Sequence, residues 1–184
     1  MKRLSTSLLA LALAGFAWSV NAYSYTCKPI SGFVQIAPDT GCMIANPIYK
    51  KRFPSVTFLG ALGYPGTCFT GSLTNGLWGS RSITGESVSG LTLIANPPPV
   101  YSSDFATAAT VLKAKDINNN TLGSLYFLDT IRFRADGSAE EQLVITEGTG
   151  AFRGAKGSLG IAGNEFVPPG APVNGTLCLP DDDD

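Results

Sequence analysis

The chemistry open to this chain is limited first by a missing residue type: it has no histidine. That removes a histidine general base, a Ser-His-Asp triad and a histidine-ligated metal. One carboxylate occupies a pointed position. In residues 124–134, Leu125, Phe127, Ile131 and Phe133 share one alternation, and Asp129 falls on it with them. Ser124, Tyr126, Leu128, Thr130, Arg132 and Arg134 take the other. Alternate side chains of a strand point to opposite faces. If the apolar face is an interior, Asp129 is a buried carboxylate. Desolvation then raises its pKa and suits it to acid/base catalysis or to holding a polar group of a ligand. The other reading keeps these residues structural: the apolar face packs against the N-terminal segment, or an arginine or backbone amides satisfy Asp129. The candidate ligand-lining residues are Phe127, Ile131 and Phe133, with Phe69 and Leu73 from an earlier strand. Arg132 and Arg134 are expected on a solvated face, as cross-strand neighbours of Glu140 or Glu141.

The other chemistry-bearing groups point to structure. Cys27, Cys42, Cys68 and Cys178 are four in number, which allows three pairings. The favoured one is Cys27–Cys42, a local loop, with Cys68–Cys178 tying the first core strand to the last. With no C-x-x-C pair and no histidine, no metal site is expected. Gly148-x-Gly150 opens no helix of a βαβ unit, so it is no dinucleotide fingerprint, and no cofactor is expected. Asp181, Asp182, Asp183 and Asp184 form an acidic tail that is expected to be solvated, since adjacent acids need a shaped loop to share one calcium ion.

The first residues speak for export. Lys2 and Arg3 precede an apolar run over residues 8–20, and Val20-Asn21-Ala22 is a small-residue cleavage site. Residues 1–22 read as a signal peptide cleaved after Ala22, which places the protein in the periplasm or outside the cell. Cleavage leaves 162 residues, with 11 basic against 14 acidic side chains. That is one domain's length, with no basic face for nucleic acid. No later stretch is long and apolar enough to span a bilayer as a helix. Nothing in the sequence sets the oligomeric state.

Strand-like segments must position Asp129. Residues 23–66 carry prolines at 29, 38, 47, 54 and 65, and read as an irregular extension wrapped on the domain and pinned by the local disulfide. Residues 68–78 alternate, with Phe69, Leu73 and Leu77 together and Trp78 opposite. Short strands are expected at 81–88 and 91–94, the latter stopped by Asn96-Pro97-Pro98-Pro99. Residues 106–116 are helix-compatible in composition, but their threonines and Val111 favour a strand. Strands follow at 124–134, 140–146, 157–162 and 175–179. About eight strands and no convincing helix predict an all-β protein, a closed antiparallel barrel over residues 67–180.

Between two of these strands lies Glu147-Gly148-Thr149-Gly150-Ala151-Phe152-Arg153-Gly154-Ala155-Lys156-Gly157. Gly148, Gly150, Gly154 and Gly157 mark a compact corner around Phe152, which is expected to plug one end of the barrel. This corner resembles the G-[ST]-G-x-F-x-x-A-x-G turn of dirigent proteins and allene oxide cyclases. The resemblance implies an eight-stranded antiparallel barrel and carries over no catalytic residue. Three functions follow as expectations. The first is a secreted binding protein for a small apolar molecule in or at the mouth of the barrel. The second is a dirigent- or cyclase-like enzyme assisted by Asp129. The third is a structural or surface-interaction domain with a filled core.

Overall fold

The computed structural model describes residues 24–93 and 104–181. The expected signal peptide at 1–22, the proline run at 96–99 and residues 182–184 lie outside them. Eight strands follow in order: β1 (Tyr25–Pro38), β2 (Cys68–Trp78), β3 (Arg81–Thr92), β4 (Phe105–Asp116), β5 (Thr121–Phe133), β6 (Ala139–Gly148), β7 (Lys156–Gly163) and β8 (Ala171–Pro180). Each is antiparallel to the next, and β8 pairs back onto β1. The sheet is therefore a closed barrel, which leaves no unpaired edge.

Three expectations about the strands are corrected. The barrel begins at Tyr25 and not near residue 67, because part of the expected extension is β1. Its alternation is hidden by a bulge between Ser31 and Phe33, which shifts the pairing register with β2. Residues 81–94 do not form two strands, since β3 runs unbroken from Arg81 to Thr92. Gly90 lies inside β3 and makes room: a Cβ there would lie 2.8 Å from Ile44 and 3.1 Å from Phe58. In β2 the register shifts again between Leu73 and Gly76. The extra residue reverses the phase, so Leu77 is exposed and Trp78 is buried with Leu73.

The irregular segment is residues 39–67, between β1 and β2. The Asp39 carboxylate accepts from the Gly41 and Met43 N–H groups at 3.0 and 2.6 Å. Asn46 caps the single helical turn Pro47–Lys50 by accepting from Ile48 N–H at 3.1 Å. The segment buries Ile44, Tyr49, Phe53 and Phe58 against the outward-facing Val88, Ala109, Val111 and Tyr126. It thus covers β3 to β5 from outside and leaves the interior to the barrel's own side chains.

The disulfides are Cys27–Cys178 and Cys42–Cys68, which overturns both expected pairs. Cys27 and Cys178 are direct partners across β1 and β8. The bridge from first strand to last exists, but its first strand is β1. The local bridge closes the 39–67 loop instead. Cys27→Ser with Cys178→Ser should lower unfolding stability by about 2–4 kcal/mol, because the bridge spans 151 residues of sequence. Removing Cys42–Cys68, which spans 26, should cost less, and urea unfolding of the two double variants compares them. Equal losses, or a larger loss for the shorter loop, would contradict the loop-closure account.

The first residue of the acidic tail, Asp181, is exposed and tied to the start of β1. Asp181 accepts from Thr26 Oγ1 at 2.6 Å, and its own N–H donates to Ser24 O at 3.0 Å. Hydrogen bonding from the Ser24 side chain, and then from Thr26, lowers the pKa of its carboxyl.

Candidate functional site

The two ends of the barrel interior differ. The glycine corner closes one. Gly150–Phe152 forms a single 3₁₀ turn, held by Thr149 N–H on Ser124 O and by Ser124 N–H on Thr149 Oγ1, at 2.8 and 3.0 Å. Phe152 is fully buried and its ring lies 5.4 Å from that of Trp78. Only glycine fits at 148, where a Cβ would fall 1.9 Å from Phe152 O. Gly150, Gly154 and Gly157 have positive φ. The corner seats one aromatic plug and has no ligand-facing group of its own.

The other end holds a cavity of about 100 Å³. Small side chains on β3 and β4 (Ser87, Ser89, Ala108 and Thr110) leave the space, and Phe127, Ile131, Leu143 and Ile161 wall it. All five candidate lining residues, Phe69, Leu73, Phe127, Ile131 and Phe133, border this cavity. Leu73 and Phe127 are buried, whereas Phe133 is 42% exposed. The connection between β7 and β8 folds over beside them. Glu165 O accepts from Ile36 N–H on β1 at 3.0 Å, and Phe166 meets Phe69 edge-on at 5.8 Å.

Asp129 lies inside, on the expected face of β5, and is 3% exposed. Neither the outer segment nor an arginine satisfies it. Its Oδ2 accepts from Thr110 Oγ1 at 2.6 Å. Oδ1 is buried with no partner, which is rare for a native carboxylate and costly if left so. Burial raises the Asp129 pKa from 3.8 to about 7, against the lowering effect of the Thr110 hydroxyl, with the charge of Glu165 adding to the rise.

Two further acids join it. Glu141 lies on β6, one interior position from Leu143, which is the cross-strand partner of Asp129. Glu165 comes from the β7–β8 connection and is 5% exposed. Their carboxyls hydrogen-bond to each other. Burial first, then Glu165, Asp129 and the Glu165 hydrogen bond, push Glu141 up to about 9. Burial likewise raises Glu165, opposed by the hydrogen bond from Glu141. Of the two, Glu141 is therefore the one that holds a proton at neutral pH. Among the described residues no lysine or arginine lines this cavity.

Glu141 was not a candidate from sequence because it sits beside Glu140 in what reads as a solvated pair. Only Glu140 is outside, where Arg134 and Arg132 meet it. The alternation of Ala139, Glu141, Leu143 and Ile145 carries the signal that separates them. Glu165 has no such signal, since a loop supplies it. No three-acid or mixed cluster among the described residues has the geometry of a metal site. No helix among them is long and apolar enough to cross a membrane. No protein-family model matches the chain, and neither a curated protein nor a solved structure matches it.

Proposed function

We propose that this is an exported binding protein whose barrel interior takes one small, mostly apolar molecule and addresses a polar group on it with carboxyls. The supporting observation is the cavity beside Asp129. Its walls are mostly apolar, the exposed rings of Phe133 and Phe166 border it, and the carboxylate of Asp129 that lines it has one buried oxygen without a partner. An apolar pocket with a few convergent polar groups is the usual form of a small-molecule site. Two disulfides accord with an oxidising compartment such as the periplasm or the exterior. A filled core, which a purely structural domain requires, is present only at the Phe152 end.

Thermal unfolding with toluene, indole and cyclohexanol tests the reading, because a molecule that binds only the native state raises its melting temperature. At least one of them should raise it. Ala108→Phe, which places a ring in the cavity, should abolish the rise. No shift with any of the three would sink the proposal.

A second reading is a dirigent- or cyclase-like enzyme. The corner resemblance suggests it, and Asp129 favours it: a carboxyl with a pKa near 7 beside an apolar cavity is suited to proton transfer at neutral pH. Asp129→Asn separates the readings. An enzyme would retain ligand and lose turnover, whereas a binding protein would lose only the contact to the polar group.

A further inference from the structure

We infer that the molecule held in this cavity is a small hydrophobic amine, an apolar body carrying one protonated nitrogen that sits against the free oxygen of Asp129. This deepens the binding-protein reading and rests on it.

Three observations carry it. The first is composition. Among the described residues, every ionisable side chain bordering the cavity is an acid: Asp129 from β5, Glu141 from β6 and Glu165 from the β7–β8 connection. The facing walls from β1 to β4 contribute Ile30, Val34, Leu73, Ser87, Ser89 and Thr110, none of them charged. Three acids, Asp129 and Glu165 buried and Glu141 half-buried at the mouth, with no cation among them, are neutralised by protons or by a positively charged guest. The second is the unpartnered Oδ1 of a side chain that is 3% exposed and borders the cavity. Thr110 fixes Oδ2 and thereby the orientation of the carboxylate. An ammonium supplies the missing donor and the missing charge at once. The third is the rest of the lining. Phe127, Ile131 and Leu143 suit the hydrocarbon body, and the Phe69–Phe166 pair lies at the rim.

A carboxylate guest would add a fourth acid and would enter only with its own proton. A neutral alcohol would donate to Oδ1 but leave the excess of acids unchanged. The three classes therefore differ in how affinity responds to pH. An ammonium displaces a proton from the cluster, so it binds more tightly as the pH rises through the Asp129 titration. A carboxylic acid does the reverse, and an alcohol depends only weakly on pH.

Calorimetric titration with benzylamine, benzyl alcohol and benzoate provides the test. Benzylamine should bind at least about ten-fold more tightly than either analogue at about pH 8, and more weakly at about pH 5.5. Asp129→Asn should weaken benzylamine by about ten-fold or more and leave benzyl alcohol unchanged. Asp129→Asn should also flatten the pH dependence of benzylamine binding between about pH 5.5 and 8, whereas Glu141→Gln, which replaces a group that titrates near 9, should leave it in place. If benzyl alcohol or benzoate binds as tightly as benzylamine, or if Asp129→Asn leaves benzylamine untouched, the amine inference fails while the binding-protein reading stands. If none of the three binds and the apolar set also gives no thermal shift, both fail.

Discussion

Stability should fall as the pH is raised from about 4 to about 9, and Asp129→Asn should remove much of that fall. The direction follows from the acids in the cavity. Asp129 and Glu141 have pKa values raised to about 7 and about 9 in the folded chain. A carboxyl that binds its proton more tightly when folded favours the native state below its unfolded pKa. The native state loses that advantage as the pH climbs to the folded value. For Asp129 the window runs from 3.8 to about 7, and the loss is on the order of 4 kcal/mol above it. Glu141 extends the fall toward pH 9, by less than its shift suggests because it is partly exposed at the mouth. The groups facing Asp129 are Thr110 on β4, Leu143 and Glu141 on β6, and Glu165. None of these is a cation that would reverse the sign. Asp116, Asp136 and Asp181 have lowered pKa values, each led by a hydrogen bond (from Asn120, Ser138 and Ser24). Their contribution is lost only as the pH drops below the usual carboxylate range, so it does not overlap this window. Asparagine at 129 keeps an oxygen for Thr110 and carries no charge. Urea unfolding should show the variant equal to or less stable than the parent near pH 4 and more stable near pH 8. A parent whose stability is flat over this range, or a variant with the same slope, would mean that the carboxyl is not desolvated in the folded state.

Phe152→Ala should lower stability by about 3–5 kcal/mol, the range for deleting a buried aromatic ring. The ring is fully buried between the corner backbone and Trp78. The corner that surrounds it has little freedom to collapse, since its backbone closely contacts the start of β5. A Cβ on Gly123 would fall 2.0 Å from Thr149 O. A rigid seat keeps the hole open, and the cost grows with the volume left empty. Because the plug and the acids occupy opposite ends of the interior, benzylamine binding by the surviving folded protein should be unchanged. Denaturant midpoints measure the first claim and calorimetry below the transition the second. A loss under about 1 kcal/mol would mean that the corner repacks around the smaller side chain.

The place of Asp129 was legible because β5 is regular there. From Leu125 to Phe133 no residue is inserted on that strand, so period two holds and an interior phase defined by four apolar residues also places the fifth position. The same rule failed on β2, where one extra residue before Gly76 put Trp78 inside and Leu77 outside. It was silent on β1, where a bulge and a strand-terminal proline disguised a strand as an extension. The cysteine pairs were misread for the same reason. Once β1 is a strand beside β8, Cys27 and Cys178 are neighbours, and no count of sequence spacing could show that.

By itself, the sequence determined the fold class, the tight corner around Phe152 and the face on which Asp129 would lie. All three depend on local periodicity and on backbone freedom at a few glycines. Barrel closure decided the rest. Only a sheet that returns to its first strand brings β1 against β8, directs β6 and the β7–β8 connection toward β5, and gathers Asp129, Glu141 and Glu165 around one cavity. These three acids are separated along the chain and unremarkable in composition. What distinguishes them is shared desolvation, a property of the enclosed space that arises only when the whole barrel shuts water out.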